Sequence, residues 1–258
     1  MAFRSGRMRA IIAGYGYLGE KIAVLLRQAG YELTVVRRSS AAPEGFSLIQ
    51  HDLVAAQLPD QSGSFDVAVF CLAAAIREPA AYQRTYCVAQ QNFLAGVHAT
   101  RYIYISSTAV YPDEAGDYYE DNAAPHSERA ATLLTAEQIA LTQTNACVLR
   151  LAGLYSRERP IYHAGRTVYA EDRLVHFIHR DDAARAALHA VQHNLTGIYN
   201  VHDGNPLLRS DILRHLGHNA PADSRLPQRR IHAEKFRSTG FTPVFTDYLS
   251  GTVFAENT

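Results

Sequence analysis

Three glycines with a fixed spacing lie close to the start of the chain and suggest a nucleotide-binding loop. They are Gly14, Gly16 and Gly19, within the segment GYGYLG. An apolar run at 9–13 precedes them and a segment with helical spacing follows, so the loop joins a strand to a helix. In such a loop the first glycine permits a tight turn, the second lets the backbone approach a pyrophosphate, and the third lets helix and strand pack closely. The helix N-terminus then favours phosphate. The alternative is a glycine-rich turn that binds no ligand.

Two arginines, Arg37 and Arg38, end the second predicted strand. NAD-binding sites tend to have an Asp or Glu there, which accepts hydrogen bonds from the ribose. A carboxylate would repel a 2′-phosphate, whereas guanidinium groups bind it through charge-assisted pairs. The sequence therefore favours NADP(H) over NAD(H), unless the two arginines simply face water. Asp52, after the third predicted strand, is expected either to meet an adenine amino group or to cap a turn.

The elements that would position these residues alternate between strands and helices. Strands are predicted in these segments: RAIIA, YELTVVRR, SLIQHDL, FDVAVFCLAAA, RYIYISSTAVY, ACVLRLAGLYS, RLVHFIHR and GIYNVHDG. Helices are predicted at 79–98 and 128–145, among others. Continuous apolar strands separated by helices are typical of a parallel sheet covered on both faces, which predicts an α/β fold. The tail from 206 onward is richer in Pro, Arg and polar residues, which predicts a smaller lobe.

Composition excludes several classes of protein. The 258 residues contain 25 basic and 25 acidic side chains, so charge gives no reason to expect nucleic acid or an anionic membrane as a partner. The three cysteines, Cys71, Cys87 and Cys147, have no CxxC spacing, which argues against a disulfide framework and a zinc cluster. We therefore predict no metal site. With no signal-peptide pattern at the N-terminus and no membrane-spanning apolar run, we expect a cytoplasmic protein.

Several short motifs occur in an order that points to one family. ISSTAVY at 105–111 is combined with GYGYLG, the strand end VFCLAAA, VLRLAGLYS, FIHRDDAARA and GIYNVHDGNP. Together they resemble the extended short-chain dehydrogenase/reductase superfamily, also called the NAD-dependent epimerase/dehydratase family. The tail KFRSTGFTPVFTDYLSG resembles the end of one bacterial branch. The resemblance covers residues 9–251.

The resemblance implies a Rossmann-type, doubly wound parallel sheet with a small C-terminal substrate lobe. The expected Rossmann domain comprises 1–154 and 174–205, and the expected substrate lobe comprises 155–173 and 206–258. The family also implies a Ser or Thr, a Tyr and a Lys at the active site, and Ser107 matches the first of these. Its role would be to hydrogen-bond the substrate oxygen, while the Tyr would transfer a proton and the Lys would lower the Tyr pKa.

The chain departs from this pattern in the helix after ISSTAVY. If Glu137 is the Glu that commonly follows the family's Lys, then Leu133 stands at the Lys position and Arg129 at the Tyr position. No YxxxK occurs within 112–145. The chain therefore resembles the atypical branch of the superfamily, which lacks this pair.

Substitute catalytic groups are conceivable. Tyr111 is a candidate proton donor, with a packing role as the alternative. Arg129 is a candidate ligand for an anionic substrate group, since its fork suits carboxylate and phosphate. The other candidates, Tyr118, Tyr119 and His126, are predicted to lie in a loop or just before the helix.

The glycine loop and the resemblance together predict a cofactor site for NADP(H), with NAD(H) possible. Its residues are Gly14, Gly16, Tyr17, Leu18, Gly19, Arg37, Arg38, Asp52, Leu53, Leu72, Ala73 and Ala74. The predicted function is that of an NADP-binding oxidoreductase or epimerase acting on a small polar, sugar-nucleotide-like molecule. The alternative is a non-catalytic binding protein that responds to NADP(H). A monomer and a homodimer are both compatible with the sequence.

Overall fold

The computed structural model describes most of the chain, in six segments: residues 7–41, 43–61, 64–76, 78–162, 172–221 and 228–252. The strands are β1 (Arg9–Ala13), β2 (Glu32–Arg37), β3 (Ser47–Gln50), β4 (Phe65–Phe70), β5 (Ala99–Ser107), β6 (Gly116–Tyr118), β7 (Ala146–Leu151), β8 (Gly153–Tyr155), β9 (Leu174–Val175), β10 (Phe177–His179), β11 (Gly197–Val201), β12 (Leu207–Leu208) and β13 (Arg229–Ile231). The α-helices are α1 (Gly19–Gln28), α2 (Pro79–Tyr82), α3 (Ala89–Gly96), α4 (Glu128–Leu141), α5 (Arg180–Gln192), α6 (Arg209–His215), α7 (Glu234–Arg237) and α8 (Tyr248–Thr252).

Seven of the described strands form one parallel sheet in the order β11-β7-β5-β4-β1-β2-β3. Ala13 pairs with Val36 of β2 on one side and with Phe70 of β4 on the other. The strand order therefore reverses direction between β1 and β4. In open α/β sheets such a reversal creates a crevice at the carboxyl edge, where ligands bind. The structure confirms the predicted Rossmann-type α/β fold.

The two faces of the sheet are buried by different helices. Successive side chains of a strand point to opposite faces, so Ile11 and Ile12 enter separate apolar clusters, both fully buried. The Ile12 cluster includes residues of α1 and α5, and the Ile11 cluster includes residues of α3 and α4. Burial on both faces explains why the strands read as continuous apolar runs.

The helix predicted at 79–98 is interrupted. Between α2 and α3 the chain forms a π-helix over Gln83–Val88, so the predicted helical segment is present but is not α-helical throughout. A π-turn is wider than an α-turn, and it allows Tyr82 and Cys87, five residues apart, both to be buried. An apolar pattern read at a period of 3.6 residues does not detect this change.

Short strands outside the main sheet tie distant parts of the chain together. Tyr118 was predicted to lie in a loop, but it ends β6, which pairs in parallel with β13. The parallel pair β8 and β10 and the antiparallel pair β9 and β12 complete the set in the described residues. The division into a Rossmann domain and a substrate lobe stays a prediction. Parts of the predicted lobe, at 163–171, 222–227 and 253–258, lie outside the described residues.

A buried carboxylate fastens the tail to the Rossmann sheet. Asp182, in the first turn of α5, is fully buried and pairs with Arg185. It also accepts hydrogen bonds from the backbone N–H groups of Val244, at 2.9 and 3.0 Å, and of Phe245, at 2.8 Å. The segment after α7 is therefore held by a helix that belongs to the main sheet.

Candidate functional site

Gly14 and Gly19 are required by the packing of the protein itself. Gly14 follows β1 and has a φ of 98°, a conformation that favours glycine. A Cβ atom there would lie 2.7 Å from the backbone carbonyl of Cys71, at the end of β4. A Cβ atom at Gly19 would lie 1.8 Å from the carbonyl oxygen of Gly14. Both glycines therefore allow α1 and the end of β4 to approach the loop.

Gly16 differs from them because nothing in the described protein needs a glycine there. It is exposed, it has no positive φ, and a Cβ atom on it would meet no protein atom within 4 Å. Within the described residues, the N–H groups of Tyr17 and Leu18 have no hydrogen-bond acceptor. A glycine without a packing reason, next to free N–H groups at a helix start, fits the approach of a pyrophosphate. The residues present thus fit a dinucleotide cofactor.

Arg37 ends β2 beside this loop, and Arg38 follows it. The Arg37 guanidinium lies 5.8 Å from the ring centroid of Tyr15, and Arg38 is exposed. In the described part of the chain, no carboxylate pairs with either arginine. Both charges are therefore available to an anion.

Asp52 and Leu53 follow β3 and have different surroundings. Asp52 Oδ1 accepts a hydrogen bond of 3.0 Å from the backbone N–H of Val54, so it caps a turn, the alternative that the sequence left open. Leu53 is buried, and its carbonyl accepts a hydrogen bond of 2.8 Å from the Asn92 side chain. Asp52 is half-buried at the carboxyl edge, next to the end of β2.

The segment after β4 carries Leu72, Ala73 and Ala74, and it crosses the glycine loop. The N–H of Cys71 donates to the carbonyl of Ala13, at 2.8 Å. The N–H of Ala74 donates to the hydroxyl of Tyr86, at 3.3 Å. Tyr86 lies in the π-helix, and sequence reasoning missed it. Burial raises its pKa, and the nearby Arg129 guanidinium acts in the opposite direction.

Ser107 ends β5 at the same edge of the sheet. It is half-buried, and its hydroxyl accepts a hydrogen bond of 3.2 Å from the N–H of Ala109, which caps a short 3-10 turn over Thr108–Val110. Arg229 of β13 donates to the carbonyls of Thr108, at 2.8 Å, and Tyr111, at 3.4 Å. The turn that positions Ser107 is thus fixed from the C-terminal part of the chain.

Tyr111 lies in a closed polar environment. Its side chain is buried, its hydroxyl donates to Asn200 Oδ1 at 2.7 Å, and it accepts from Arg150 Nη1, also at 2.7 Å. Burial raises the pKa of Tyr111, against the lowering effect of Arg150. A hydroxyl whose proton is already donated inside the protein is poorly placed to serve a substrate, so this geometry favours the packing alternative.

The α4 helix presents Arg129 and Leu133 in different environments. Arg129 is exposed, and its guanidinium lies 5.4 Å from the ring centroid of Tyr82. Together with Glu78 and Pro79, these two residues line a surface cavity of about 150 Å³. Leu133 is buried among Val110, Tyr111 and Ile231. An apolar environment therefore surrounds Leu133, the residue that the sequence alignment through Glu137 predicts at the position of the family's Lys.

A buried ion pair links α4 to the sheet. Arg150 of β7 contacts both carboxylate oxygens of Glu137, at 2.7 to 3.2 Å, and Ser106 donates to the same carboxylate at 2.6 Å. Burial disfavours the charge of Arg150, but hydrogen bonds and the charge of Glu137 outweigh it and raise the Arg150 pKa. These contacts are structural: they hold β5, the strand that ends in Ser107, against α4.

Residues 10–201 match the sequence profile of the NAD dependent epimerase/dehydratase family, which covers the sheet from β1 to β11. The chain belongs to this family. Among curated protein sequences, none matches the chain.

Solved structures of this fold agree with the assignment. A candidate NAD-dependent epimerase/dehydratase from Methylobacillus flagellatus is 25% identical, with 95% of this chain and 96% of that chain covered and a TM-score of 0.77. MoeE5, described in complex with UDP-glucose and NAD, is 17% identical, with 95% and 97% covered and a TM-score of 0.75. WbmG from Bordetella bronchiseptica, described in complex with NAD, is 19% identical, with 98% and 94% covered and a TM-score of 0.72.

The described residues of this family member contain neither a membrane-spanning helix nor a cluster of metal ligands. No helix there has the length and apolar character needed to cross a bilayer. No group of three or more His, Cys, Asp and Glu side chains in the same ranges is arranged to hold a metal ion. The candidate site therefore consists of the glycine loop and the strand ends beside it.

Proposed function

We propose that this epimerase/dehydratase family member is an oxidoreductase or epimerase that binds NADP(H) in preference to NAD(H). The observation that carries the proposal is the contrast among the three loop glycines. Protein packing accounts for Gly14 and Gly19, whereas no packing contact among the described residues explains Gly16. A pyrophosphate approaching the backbone at Gly16 supplies a reason for this glycine.

Arg37 and Arg38 support the preference for a 2′-phosphate. Neither is paired with a carboxylate in the described residues; Arg37 ends β2 and Arg38 follows it, at the edge that faces the loop. A planar guanidinium binds phosphate through two parallel hydrogen bonds. NAD(H), which lacks the 2′-phosphate, would gain none of this interaction.

The proposed substrate is a small polar molecule of the sugar-nucleotide class. MoeE5, of the same fold, is described with UDP-glucose, which supports this class. When bound, a nicotinamide cofactor supplies hydride transfer. The chain contributes the Ser107 hydroxyl, which orients the substrate oxygen, and the exposed Arg129, which attracts an anionic group of the substrate.

The three cysteines of the protein are free thiols, which supports the proposal that it is located in the cytoplasm.

A second function is favoured by one observation. Leu133 is buried in an apolar cluster, and the sequence alignment through Glu137 predicts Leu133 and Arg129 at the positions of the family's Lys and Tyr. A protein without the Tyr–Lys pair can bind the cofactor and signal its presence without catalysis. In that case the substitution Ser107→Ala would change no measurable function, whereas substitution at Gly16 would abolish the response.

Calorimetric titration with NADPH and, separately, NADH tests the proposal. Tight binding of NADPH and weak binding of NADH would support it. The variant Arg37→Asp/Arg38→Ala should then lose affinity for NADPH and little affinity for NADH. Equal losses would refute the 2′-phosphate argument, and failure of the folded protein to bind either dinucleotide would refute the cofactor site.

A further inference from the structure

A tight turn after β8 packs on the glycine loop. Its ends are joined by two backbone hydrogen bonds between Ser156 and Arg159, at 3.1 and 3.3 Å. This turn brings the exposed Arg159 to the Tyr17 ring, with its guanidinium carbon 4.9 Å from the ring centroid. A residue more than 140 positions along the chain therefore contacts the side chain that directly follows Gly16.

A second arginine reaches the same ring. Arg180, the first residue of α5, has its guanidinium carbon 4.8 Å from the Tyr17 centroid. Cations at this distance from an aromatic face are attracted by the ring. The Tyr17 ring thus holds two guanidinium groups next to the N–H groups of Tyr17 and Leu18, which have no acceptor in the described residues.

The charge around Tyr17 is not balanced by the described protein. Arg180 lies 3.9 Å from a carboxylate oxygen of Glu158 and 3.7 Å from one of Asp181, which also pairs with Lys21 at 3.5 Å. No carboxylate among the described residues lies within ion-pair distance of Arg159. Glu158 is itself exposed and is hydrogen-bonded by Ser156. An excess of positive charge therefore stands beside the candidate pyrophosphate position.

We propose that Arg159 and Arg180 form a cationic cover on the glycine loop that binds the diphosphate of the dinucleotide, with the Tyr17 ring as the support for both guanidinium groups. This inference rests on the proposed function, because it needs a dinucleotide in the loop. The backbone N–H groups of the loop donate hydrogen bonds but carry no net charge, whereas a diphosphate is an anion. The two arginines supply that charge through pairs that are stronger than neutral hydrogen bonds.

The cationic cover has a different selectivity from the arginines after β2. NAD and NADP share the diphosphate and differ in the 2′-phosphate. Substitution of Arg159 or Arg180 should therefore weaken both dinucleotides to the same extent. Substitution of Arg37 and Arg38 should weaken NADP(H) selectively.

The experiment is a calorimetric titration of NADP⁺ and NAD⁺ into the wild type, Arg159→Gln and Arg180→Gln. Each variant should lower the affinity for both dinucleotides by about tenfold to 100-fold, the range for a lost charged hydrogen bond. Adenosine 2′-phosphate, which has no diphosphate, should bind all three proteins equally. Arg214→Gln, which removes the same charge from the exposed face of α6, is the control and should leave every affinity unchanged.

The outcomes separate the two proposals. If the wild type binds neither dinucleotide, the proposed function and the cationic cover are both wrong. If it binds them and both variants bind as tightly, only the cover is wrong. UDP tests the other source of a diphosphate: variants that lose affinity for UDP and keep it for both dinucleotides would assign the arginines to a substrate and overturn the proposal.

Two controls address folding and charge. Arg159 is exposed, so the Arg159→Gln variant should fold. Arg180→Lys keeps the charge and should retain more affinity for both dinucleotides than Arg180→Gln.

Discussion

Glu137 and Arg150 form an ion pair that is almost completely excluded from solvent. Their side chains are 1% and 2% exposed, and the shortest contact, between Glu137 Oε2 and Arg150 Nη2, is 2.7 Å. Ser106, Tyr111 and the carbonyl of Glu120 provide the remaining hydrogen bonds. The pair connects α4 to β7 across the strand that ends at Ser107.

Substitution of Glu137 should destabilise the protein strongly. Glu137→Gln leaves the Arg150 charge buried without its counter-ion, so the free energy of unfolding should fall by about 3–5 kcal/mol. Urea unfolding measures this change. Asp211→Asn removes one partner of an exposed pair with Arg214 and should cost no more than about 1 kcal/mol. Similar losses in the two variants would contradict the view that burial makes the Glu137 pair important.

Substitutions of the loop glycines should distinguish effects on cofactor affinity from effects on stability. Gly16→Ala places a methyl group where no protein atom is near, so stability should stay constant or rise by up to about 1 kcal/mol. The same methyl group meets the approaching pyrophosphate, so the affinity for NADPH should fall by about tenfold or more, or at least about 1.4 kcal/mol. Calorimetry and thermal unfolding measure the two quantities.

Gly19→Ala is the matched comparison. Its Cβ would lie 1.8 Å from the Gly14 carbonyl oxygen, so the free energy of unfolding should fall by about 2 kcal/mol or more. If Gly16→Ala unfolds as readily as Gly19→Ala, the assignment of Gly16 to a ligand is wrong.

Two buried histidines should make the fold sensitive to acid. His176 and His202 lie 5.2 Å apart between ring centroids. Burial lowers the pKa of His176 to about 3, with a further contribution from His202, and lowers that of His202 to about 4. Hydrogen bonds fix both rings as neutral, since His176 Nε2 accepts from the N–H of Ile231 and His202 Nδ1 accepts from that of Gly204.

Both folded pKa values lie below the unfolded value of 6.5. The unfolded chain therefore binds more protons, and their contribution to stability is complete above pH 6.5 and is lost as the pH falls towards about 4 and about 3. Asp203 opposes this trend, because burial, with Asp247 and Asp182 nearby, raises its pKa to about 7. Its contribution is present below pH 3.8 and is lost as the pH rises through about 7.

The substitution His176→Gln isolates the contribution of His176 to the pH dependence of stability. The Gln carbonyl can still accept the hydrogen bond from Ile231, but it does not titrate. Between about pH 4 and pH 6.5, the slope of unfolding free energy against pH should be smaller in the variant by about 1.4 kcal/mol per pH unit. Urea unfolding at several pH values measures both slopes, and parallel slopes would show that His176 is not neutral in the folded protein.

Ser107 should affect turnover more than cofactor binding. Ser107→Ala removes the hydroxyl that orients the substrate oxygen, so turnover of a sugar nucleotide should fall by about 100-fold. The lost cap on the 3-10 turn should cost about 1 kcal/mol of stability. NADPH affinity should stay unchanged, and Thr135→Ala, on the exposed side of α4, should change neither quantity. Unchanged turnover in the Ser107 variant would refute its proposed role.

The sequence predicts the parts of the molecule that depend on local chemistry. The strand before Gly14 and the helix after Gly19 follow from apolar periodicity, and a parallel sheet covered on both faces follows from alternating elements. The Rossmann type follows from the family resemblance. The reasons for Gly14 and Gly19 are also local, since a positive φ and a close helix contact require glycine. These predictions depend on residues that are near each other in the chain.

Contacts between residues that are distant in the chain could not be predicted from the sequence. The partner of Glu137 is 13 residues away on another element, and a helical pattern gives no reason to pair it with Arg150. Tyr86 reaches Ala74 from a π-turn that apolar periodicity does not reveal. Arg159 and Arg180 meet Tyr17 only because a turn returns to the glycine loop. A sequence pattern such as YxxxK describes residues on a single helix. The contacts above join residues on different helices, strands and loops, so no such pattern reveals them.

The attachment of the tail to Asp182 affects the order in which the chain can fold during synthesis. The carboxylate becomes buried only when its partners Val244 and Phe245, 62 and 63 residues later, have left the ribosome. Domains usually fold as units, beginning with the N-terminal part. Here α5 cannot reach its final packing until that later segment arrives. A translational pause between codons 182 and 244 would therefore hold the nascent sheet with Asp182 paired to Arg185 but without the N–H donors of Val244 and Phe245, a state that chaperones would encounter.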